Sequence, residues 1–242
     1  MMEILWIEET DSTNNWIKSN PDAVHPMTLV AAYDQTAGRG QRGNSWESEP
    51  GKNLTFSFYF TPGNVSPADQ FIISEAVSLA MARSLSHFDI RAEVKWPNDI
   101  YVGDRKICGI LIENSISSEK ISRCIVGIGL NVNQERFVSN APNPVSMTMV
   151  TGEKYDLEEV LRCVGRHIKA YLMCLSDRRD LHREYRGNLW RRTGWHAFRD
   201  AATGEYFPAS IEDVEPRGHL ILRHLDSEDL RRYAFKEVEF IL

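Results

Sequence analysis

The stretch AEVKWPNDIYVGDRKICGILIEN, residues 92–114, decides the fold class of this chain. Its β-prone runs are separated by short turns, one containing Pro-Asn-Asp and the other Gly-Asp. Turns of this length join antiparallel strands, because a parallel crossover needs about a dozen residues or more. A further β-prone run follows at residues 121–132. The stretch therefore predicts a mixed or mostly antiparallel sheet that is built from hairpins.

Further strands and helices complete an α+β pattern. Strands are predicted at residues 4–7, 28–33 and 53–60, and in the last of these the apolar side chains of alternate residues share one face. Ser66 followed by proline is a typical helix start, and the helix should pack one face on the sheet. A second helix is predicted from Asp156.

The carboxy-terminal part has a different pattern. A charged helical segment at residues 177–192 is followed by segments whose apolar residues recur with a period of two. These segments are WHAFRD, EYFPASIEDVE, HLILRHL and LRRYAFKEVEFIL. We therefore predict a boundary near Leu189, with one domain at residues 1–189 and a small β-barrel-like unit at residues 190–242.

Composition excludes some classes of protein. The chain has 242 residues, 42% hydrophobic content and a formal net charge of −6, which argues against a nucleic-acid binder held by a broad basic field. No signal peptide and no apolar run of about 20 residues is visible, so a cytoplasmic location is expected. The seven histidines show no zinc-ligand pattern, and no protein-bound metal is predicted.

The segment QTAGRGQRGNSW, residues 35–46, is rich in glycine and arginine and has no acidic residue. Gly38, Gly40 and Gly43 satisfy the dinucleotide-binding pattern G-x-G-x-x-G. That interpretation fails in context, because a strand follows where a Rossmann fold requires a helix. The companion motifs of Walker and kinase loops are missing as well. By itself, such a loop is more often a solvated surface connection than a ligand site.

The segment KWPND, residues 95–99, places Lys95 at the end of a strand. The proline holds Trp96 extended, so a cation and the polar side chains of Asn98 and Asp99 project from a rigid support. A single lysine on a strand is usually solvated, so this motif alone does not indicate a site. It indicates one only together with residues 35–46, which we call the glycine loop.

Five segments, in this order and spacing, resemble the motifs of biotin protein ligases. They are STNN, DQTAGRGQRGNSW, KWPNDIY, DRKICGILIE and VGIGLNVN. The resemblance covers approximately residues 10–133 and implies a catalytic domain of the class II aminoacyl-tRNA synthetase type. The carboxy-terminal β unit fits the small SH3-like domain of that family.

The resemblance implies an ATP-dependent ligase that converts biotin to biotinyl-5′-AMP and then transfers biotin to one lysine of a biotin carboxyl carrier protein. Biotin and ATP are the implied ligands, and Mg²⁺ would arrive with ATP. A carboxylate and a phosphate repel each other by about 4 kcal/mol at about 4 Å with an effective dielectric constant of about 20, so cations must offset that repulsion. The implied catalytic cations are Lys95, Arg39 and Arg42.

The resemblance also implies the other site residues. The biotin site would contain Ser12, Thr13, Asn14, Gln35, Gly38, Arg39, Gly40, Gln41, Lys95, Gly109 and Ile110. The ATP site would contain Arg42, Trp46, Asn98, Lys106 and Asn131. The glycine loop would close over the adenylate as a lid.

Several of these residues have a simpler interpretation. Ser12 and Thr13 could instead cap a helix, Lys106 could be a turn lysine, and Asp99 could either assist proton removal from the acceptor lysine or cap a turn. Gln41 and Asn44 stand where the family commonly has basic residues, so retention of the adenylate could be weaker unless another cation compensates.

Three other classes of protein remain as alternatives. A lipoate or octanoate transferase shares the fold, but its motifs are not visible. A bifunctional ligase-repressor carries an amino-terminal winged helix, whereas here the first strand is predicted at Ile4, so no DNA binding is expected. A non-catalytic biotin-binding regulator would not need Lys95 and the loop arginines. A homodimer remains open. The ligase interpretation requires Lys95, Arg39 and Ser12 to face one cavity.

Overall fold

The computed structural model describes residues 2–40, 44–63, 65–139 and 143–242. A seven-stranded sheet forms the larger part of the fold. Its strands are β1 (Ile4–Thr10), β2 (Leu29–Gln35), β3 (Leu54–Phe60), β4 (Glu93–Lys95), β5 (Asp99–Val102), β6 (Arg105–Ser117) and β7 (Lys120–Leu130). The strand order is β1-β2-β3-β7-β6-β5-β4. β1 and β2 run parallel and the other neighbours in this order are antiparallel, which confirms the predicted mixed, mostly antiparallel sheet.

Strand β3 is covered on both faces. Phe56 and Phe58 are fully buried in the main core, as the alternating pattern predicts. Thr55 and Ser57, on the opposite face, are buried as well, because helix α1 (Thr13–Ser19) packs there. The sequence analysis did not predict this helix, since seven residues are too few to show a helical period.

The described ranges contain four more α-helices, and none of the helices there is long and apolar enough to cross a membrane. They are α2 (Phe71–Ser86), α3 (Met147–Thr151), α4 (Leu157–Met173) and α5 (Arg178–Gly187). The expectation that this helix packs one face on the sheet is confirmed for α2. Its opposite face is covered as well, by α4 and α5, so that 13 of its 16 residues are buried.

Two helix boundaries also differ from the prediction. Residues Pro67–Asp69 form a separate 3₁₀ turn, in which Ser66 Oγ donates to Asp69 Oδ2 at 2.8 Å, and the α-helix starts only at Phe71. Helix α5 ends at Gly187, short of the predicted limit at residue 192. The chain after it pairs with the edge of β4, where Trp190 N donates to Val94 O at 2.9 Å. The predicted start of α4 is confirmed, since Asp156 accepts a hydrogen bond from the backbone of Glu159.

The carboxy-terminal part forms a second, five-stranded antiparallel sheet, as the period of two predicts. Its strands are β8 (His196–Asp200), β9 (Tyr206–Val214), β10 (Leu220–His224), β11 (Leu230–Tyr233) and β12 (Val238–Phe240), in the order β11-β10-β9-β8-β12. The last β-prone run is therefore two strands, and Lys236, with a φ of 71°, lies in the turn between them. The SH3-like classification and the division after Leu189 stay predictions.

Candidate functional site

A cavity of about 710 Å³ lies where the two sheets meet. Its walls come from the start of α1, the glycine loop, the turn between β4 and β5, and neighbouring residues of β6 and β7. The carboxy-terminal sheet closes one side with Phe235, Lys236, Val238, Glu239 and Phe240. The volume is within the range of about 300–1,000 Å³ that is typical of pockets for small organic ligands.

Glycines of β6 and β7 form the floor of this cavity. Gly109 and Gly129 are paired across the two strands, and the Trp46 indole lies against both. A Cβ atom at Gly109 would be 2.9 Å from Trp46 Cζ3, and one at Gly129 would overlap the indole more severely. A Cβ atom at Gly127 would collide with the Asn14 side chain. These glycines are therefore required by close packing of other side chains.

The ends of the glycine loop pair with each other. Gly40 N donates to Asn44 O at 2.6 Å, and Trp46 N donates to Gly38 O at 2.9 Å. This pairing sets Trp46 against the floor and turns Arg39 to the cavity. Gln41, Arg42 and Gly43 lie outside the described residues, so the predicted roles of Gln41 and Arg42, and the closing of the loop, stay predictions.

Lys95 Nζ lies among aromatic rings. It is 4.8 Å from the ring centre of Tyr101 and 5.5 Å from those of Trp190 and Phe240, and it donates to Tyr101 Oη at 3.1 Å. Burial lowers the pKa of Lys95, because the rings replace only part of the hydration of the ammonium, while the Asp99 carboxylate acts in the opposite direction. An anionic ligand that binds Lys95 would therefore displace little water from its ammonium group.

The turn that carries Lys95 is anchored on both sides. The Trp96–Pro97 peptide bond is cis, and Pro97 O accepts a hydrogen bond from Tyr185 Oη at 2.9 Å. Trp96 Nε1 donates to Gly218 O, in the carboxy-terminal part, at 3.0 Å. These two hydrogen bonds support the expectation that the turn holds Lys95 in place.

Three of the cations that the sequence analysis selected, Lys95, Lys106 and Arg39, border one cavity, whereas Arg42 lies outside the described residues. Lys95, Lys106, Arg39 and Ser12 all border the cavity, so the stated requirement for the ligase interpretation is met. Lys106 Nζ is 2.8 Å from Asp99 Oδ1, and Arg39 is 3.4 Å from Glu113 Oε2. Partly exposed ion pairs of this kind contribute about 0–1 kcal/mol each, so both cations can turn to a ligand at low cost.

Neutral polar side chains from α1 and β2 border the same cavity. They are Ser12, Thr13, Asn14 and Gln35. Ser12 occupies the N-cap position of α1, yet its side chain caps no backbone N–H group, and Oγ makes no hydrogen bond to any described residue. Thr13 N donates to Gln35 Oε1 at 3.1 Å. These side chains are therefore held in place while part of their hydrogen-bonding capacity stays open.

Some predicted site residues are used by the fold. Gly38 does not border the cavity, and a Cβ atom there would be 2.5 Å from Trp46 O. Asn131 is buried behind the site, where its Nδ2 donates to Val145 O at 3.0 Å. Asn98 borders the cavity, but its Nδ2 donates to Ile110 O at 2.6 Å. Gly40, Gly109 and Ile110 do border the cavity. The ligand roles of all these residues stay predictions.

The sequence analysis missed the carboxy-terminal wall. Residues 235–240, FKEVEF, mix apolar and charged side chains, and this composition is common in surface strands and carries no recognisable motif. Their position depends on the break at Lys236 and on contacts between the two sheets, which are distant in sequence.

Comparison with solved structures identifies the mixed sheet and its helices as the biotin ligase catalytic fold. The solved structure of the biotin protein ligase from Aquifex aeolicus in complex with biotin and ATP matches this chain with a TM-score of 0.80. The match covers 99% of this chain and 98% of that chain at 24% sequence identity. At this identity the likeness shows the fold alone.

The chain belongs to the biotin/lipoate A/B protein ligase family, whose model matches residues 6–131. It is 30% identical over 155 residues to the bifunctional ligase/repressor BirA of Bacillus subtilis (strain 168), covering 60% of this chain and 47% of BirA. It is 33% identical over 161 residues to the biotin–[acetyl-CoA-carboxylase] ligase of Paracoccus denitrificans, covering 64% of this chain and 67% of that protein. The chain thus spans about half the length of the BirA protein that it matches.

Proposed function

We propose that this protein is an ATP-dependent biotin protein ligase. In the first step, a biotin carboxylate oxygen attacks the α-phosphorus of ATP, pyrophosphate leaves, and biotinyl-5′-AMP forms. In the second step, a lysine amine of a biotin carboxyl carrier protein attacks the acyl carbon, AMP leaves, and the amine loses a proton. The observation that carries the proposal is that one cavity is bordered both by neutral hydrogen-bonding side chains and by Lys95, Lys106 and Arg39.

Ser12, Thr13, Asn14 and Gln35 would bind the ureido group of biotin. A urea is neutral and carries both N–H donors and a carbonyl acceptor, which suits hydroxyl and amide side chains between apolar walls. The dithiolane ring of lipoate has no such groups and would leave these polar atoms unpaired, at a cost of about 1–3 kcal/mol for each buried group. The polar set therefore supports biotin over lipoate.

Lys95 would lie between the biotin carboxylate and the α-phosphate. Fixed positive charge lowers the barrier most where negative charge increases in the transition state, here on the oxygens of the α-phosphorus. Arg39 and Lys106 would add charge near the phosphates, with Arg42 from the glycine loop. Mg²⁺ bound to ATP would neutralise further phosphate charge.

The nucleotide would lie beside Trp46 and Asn98, with Asn131 behind them. Trp46 offers an aromatic surface, and its buried Nε1 has no hydrogen-bond partner among the described residues. The glycine loop would close over the adenylate, and Gly38, Gly40, Gln41, Gly109 and Ile110 would form the biotin pocket wall. The carrier protein as acceptor and the cytoplasmic location belong to the same proposal.

Isotope exchange between pyrophosphate and ATP, with biotin as the added acid, tests this function. We expect exchange that depends on biotin and is absent with lipoate or octanoate, followed by a mass increase of the carrier domain by one biotinyl group. Exchange with lipoate alone would identify a lipoate-type enzyme. Biotin binding without exchange would identify a non-catalytic binding protein.

A further inference from the structure

A series of hydrogen bonds connects Glu113, near the protein surface, with the hydroxyl group of Thr13. Glu113 Oε2, on β6, accepts from Asn14 Nδ2 at 2.7 Å. Asn14 Oδ1 accepts from Ser57 Oγ, on β3, at 2.6 Å, and Ser57 Oγ is 2.6 Å from Thr13 Oγ1. Ser57 is fully buried, and neither Ser57 nor Glu113 borders the cavity. The proposed reaction gives these two residues no role.

Glu113 fixes the direction of the first two hydrogen bonds. Burial alone would raise the pKa of Glu113, but hydrogen bonds from Lys18 and Asn14 lower it below its usual value, so the carboxylate is ionised and only accepts. Asn14 must therefore turn its NH₂ group to Glu113 and its oxygen to Ser57. Since an amide oxygen has no proton, Ser57 must donate to Asn14.

The last hydrogen bond is fixed in the same way. Ser57 has used its single proton, so Thr13 must donate to Ser57. Thr13 Oγ1 is also 3.3 Å from Gln35 Oε1, but it has one proton, and the contact of 2.6 Å with Ser57 is much shorter. Thr13 borders the cavity, and its Oγ1 therefore has only lone pairs left to offer a ligand there.

We infer that Glu113 and Ser57 are positioning residues that make Thr13 Oγ1 an obligate hydrogen-bond acceptor and so select a ligand with an N–H donor at this point. The inference rests on the proposed function, in which the donor is a ureido N–H group of biotin. A ligand with a ring oxygen at the same place would set lone pairs against lone pairs. Neither Glu113 nor Ser57 touches the ligand.

The substitution Glu113→Gln tests this selection with little change of shape. Lys18 Nζ, at 2.7 Å from Glu113 Oε1, would keep the carbonyl oxygen of the new amide and place its NH₂ group beside Asn14. Arg39, now 3.4 Å from Glu113 Oε2, would lose this ion pair, which should affect all the ligands alike. Asn14 would then turn round, Ser57 would donate to Thr13, and Thr13 would donate into the cavity. Every hydrogen bond between residue 113 and Thr13 would then run in the opposite direction.

The probes are biotin and its two cyclic carbamate analogues, in each of which a ring oxygen replaces one ureido N–H group. Calorimetry on the full chain would give the dissociation constants. For the wild type we expect one of the two analogues to bind about 100-fold more weakly than biotin, because two acceptors then face each other. In Glu113→Gln that ratio should fall to about tenfold or less.

Two further variants separate selection from packing. Ser57→Ala frees the Thr13 hydroxyl to donate or accept, so the ratio should fall there as well. Lys18→Ala keeps the carboxylate that directs Asn14 and should keep the wild-type ratio. Thermal melting would confirm that each variant folds.

A ratio that stays at its wild-type value in both Glu113→Gln and Ser57→Ala would overturn the inference, even if all three ligands bound more weakly. In that case Glu113 would have a structural role alone. Failure of the wild type to bind biotin at all would instead overturn the proposed function.

Discussion

Lys95 lies beside an anchored turn, and its ammonium group has fewer hydrogen-bond acceptors than donors. An ammonium group has three N–H donors, and among the described residues one hydrogen bond, to Tyr101 Oη, is recorded for it. The surrounding rings attract the charge but accept no strong hydrogen bond. A carboxylate or phosphate oxygen would supply what is missing, which is why Lys95 is central to the proposed chemistry.

Replacement of Lys95 by alanine should lower biotin-dependent pyrophosphate exchange by about 100- to 1,000-fold, because a charge directed at the reacting phosphorus is lost. Circular dichroism and melting should remain close to wild type, since the side chain makes no ion pair among the described residues. Lys120→Ala, at the exposed first residue of β7, is the matched control. Wild-type exchange in Lys95→Ala would refute the assignment.

Lys236 is the cation that the carboxy-terminal wall adds to the cavity. It can offset the positive charge that this chain lacks at Gln41 and Asn44. Lys236→Gln should speed the release of biotinyl-5′-AMP by about tenfold, as expected for the loss of one charge-assisted contact. Release is measured by chasing the preformed adenylate with unlabelled biotin and ATP. An unchanged rate would exclude Lys236 as the compensating charge.

Two glycines of strand β7, two positions apart, leave room for side chains at two different parts of the cavity. Successive side chains of a strand alternate between faces, so Gly127 and Gly129 share one face. Gly127 makes room for Asn14, at the polar group proposed for biotin, and Gly129 makes room for Trp46, beside the proposed nucleotide site. One strand therefore sets the shape of both proposed subsites.

Substitution of these glycines should separate the two subsites. Gly127→Ala would displace Asn14 and raise the KM for biotin about tenfold or more, with little change for ATP. Gly129→Ala would displace Trp46 and raise the KM for ATP by a similar factor, with little change for biotin. Steady-state exchange kinetics measure both constants. Equal effects of each variant on both substrates would contradict this division.

The strands and the long helix α4 could be predicted because their patterns are local. The alternation at residues 53–60 and the cap at Asp156 each lie within a few neighbouring residues. The enclosure of α2 and the burial of Ser57 could not be predicted, because each depends on a second layer that packs from a distant part of the chain. The motifs located Lys95 and Thr13, but the direction of the hydrogen bond behind Thr13 requires coordinates.

An ionic cluster joins helices α2 and α5 to the carboxy-terminal sheet. His182 Nδ1, on α5, is 2.7 Å from Glu75 Oε1, on α2, and Nε2 is 3.5 Å from Asp213 Oδ1, on β9. Arg186 Nε is 2.9 Å from the same Asp213 oxygen. The hydrogen bond from His182 to buried Glu75 raises the pKa of His182, against the opposing effect of burial. When His182 is protonated, it can form ion pairs with both Glu75 and Asp213 and so link the helical layer to the carboxy-terminal sheet.

This link should make stability depend on pH. A group whose pKa is raised on folding stabilises the folded state fully below its unfolded pKa, about 6.5 for histidine, and loses that contribution as the pH rises through the folded value. The free energy of unfolding of the wild type should therefore exceed that of His182→Gln by about 1 kcal/mol at low pH, and the difference should shrink as the pH rises. Urea unfolding from pH 5 to about 9 measures this. A difference that is constant over this range would contradict it.

The glycine floor limits how the substrate range of this protein can be engineered. Glycine already has the smallest side chain, so no substitution at Gly109, Gly127 or Gly129 can deepen the cavity. A larger residue at any of the three would instead displace Trp46 or Asn14. A redesigned variant that accepts a bulkier acid would have to gain its space elsewhere, by trimming Trp46 or the Phe240 ring of the opposite wall.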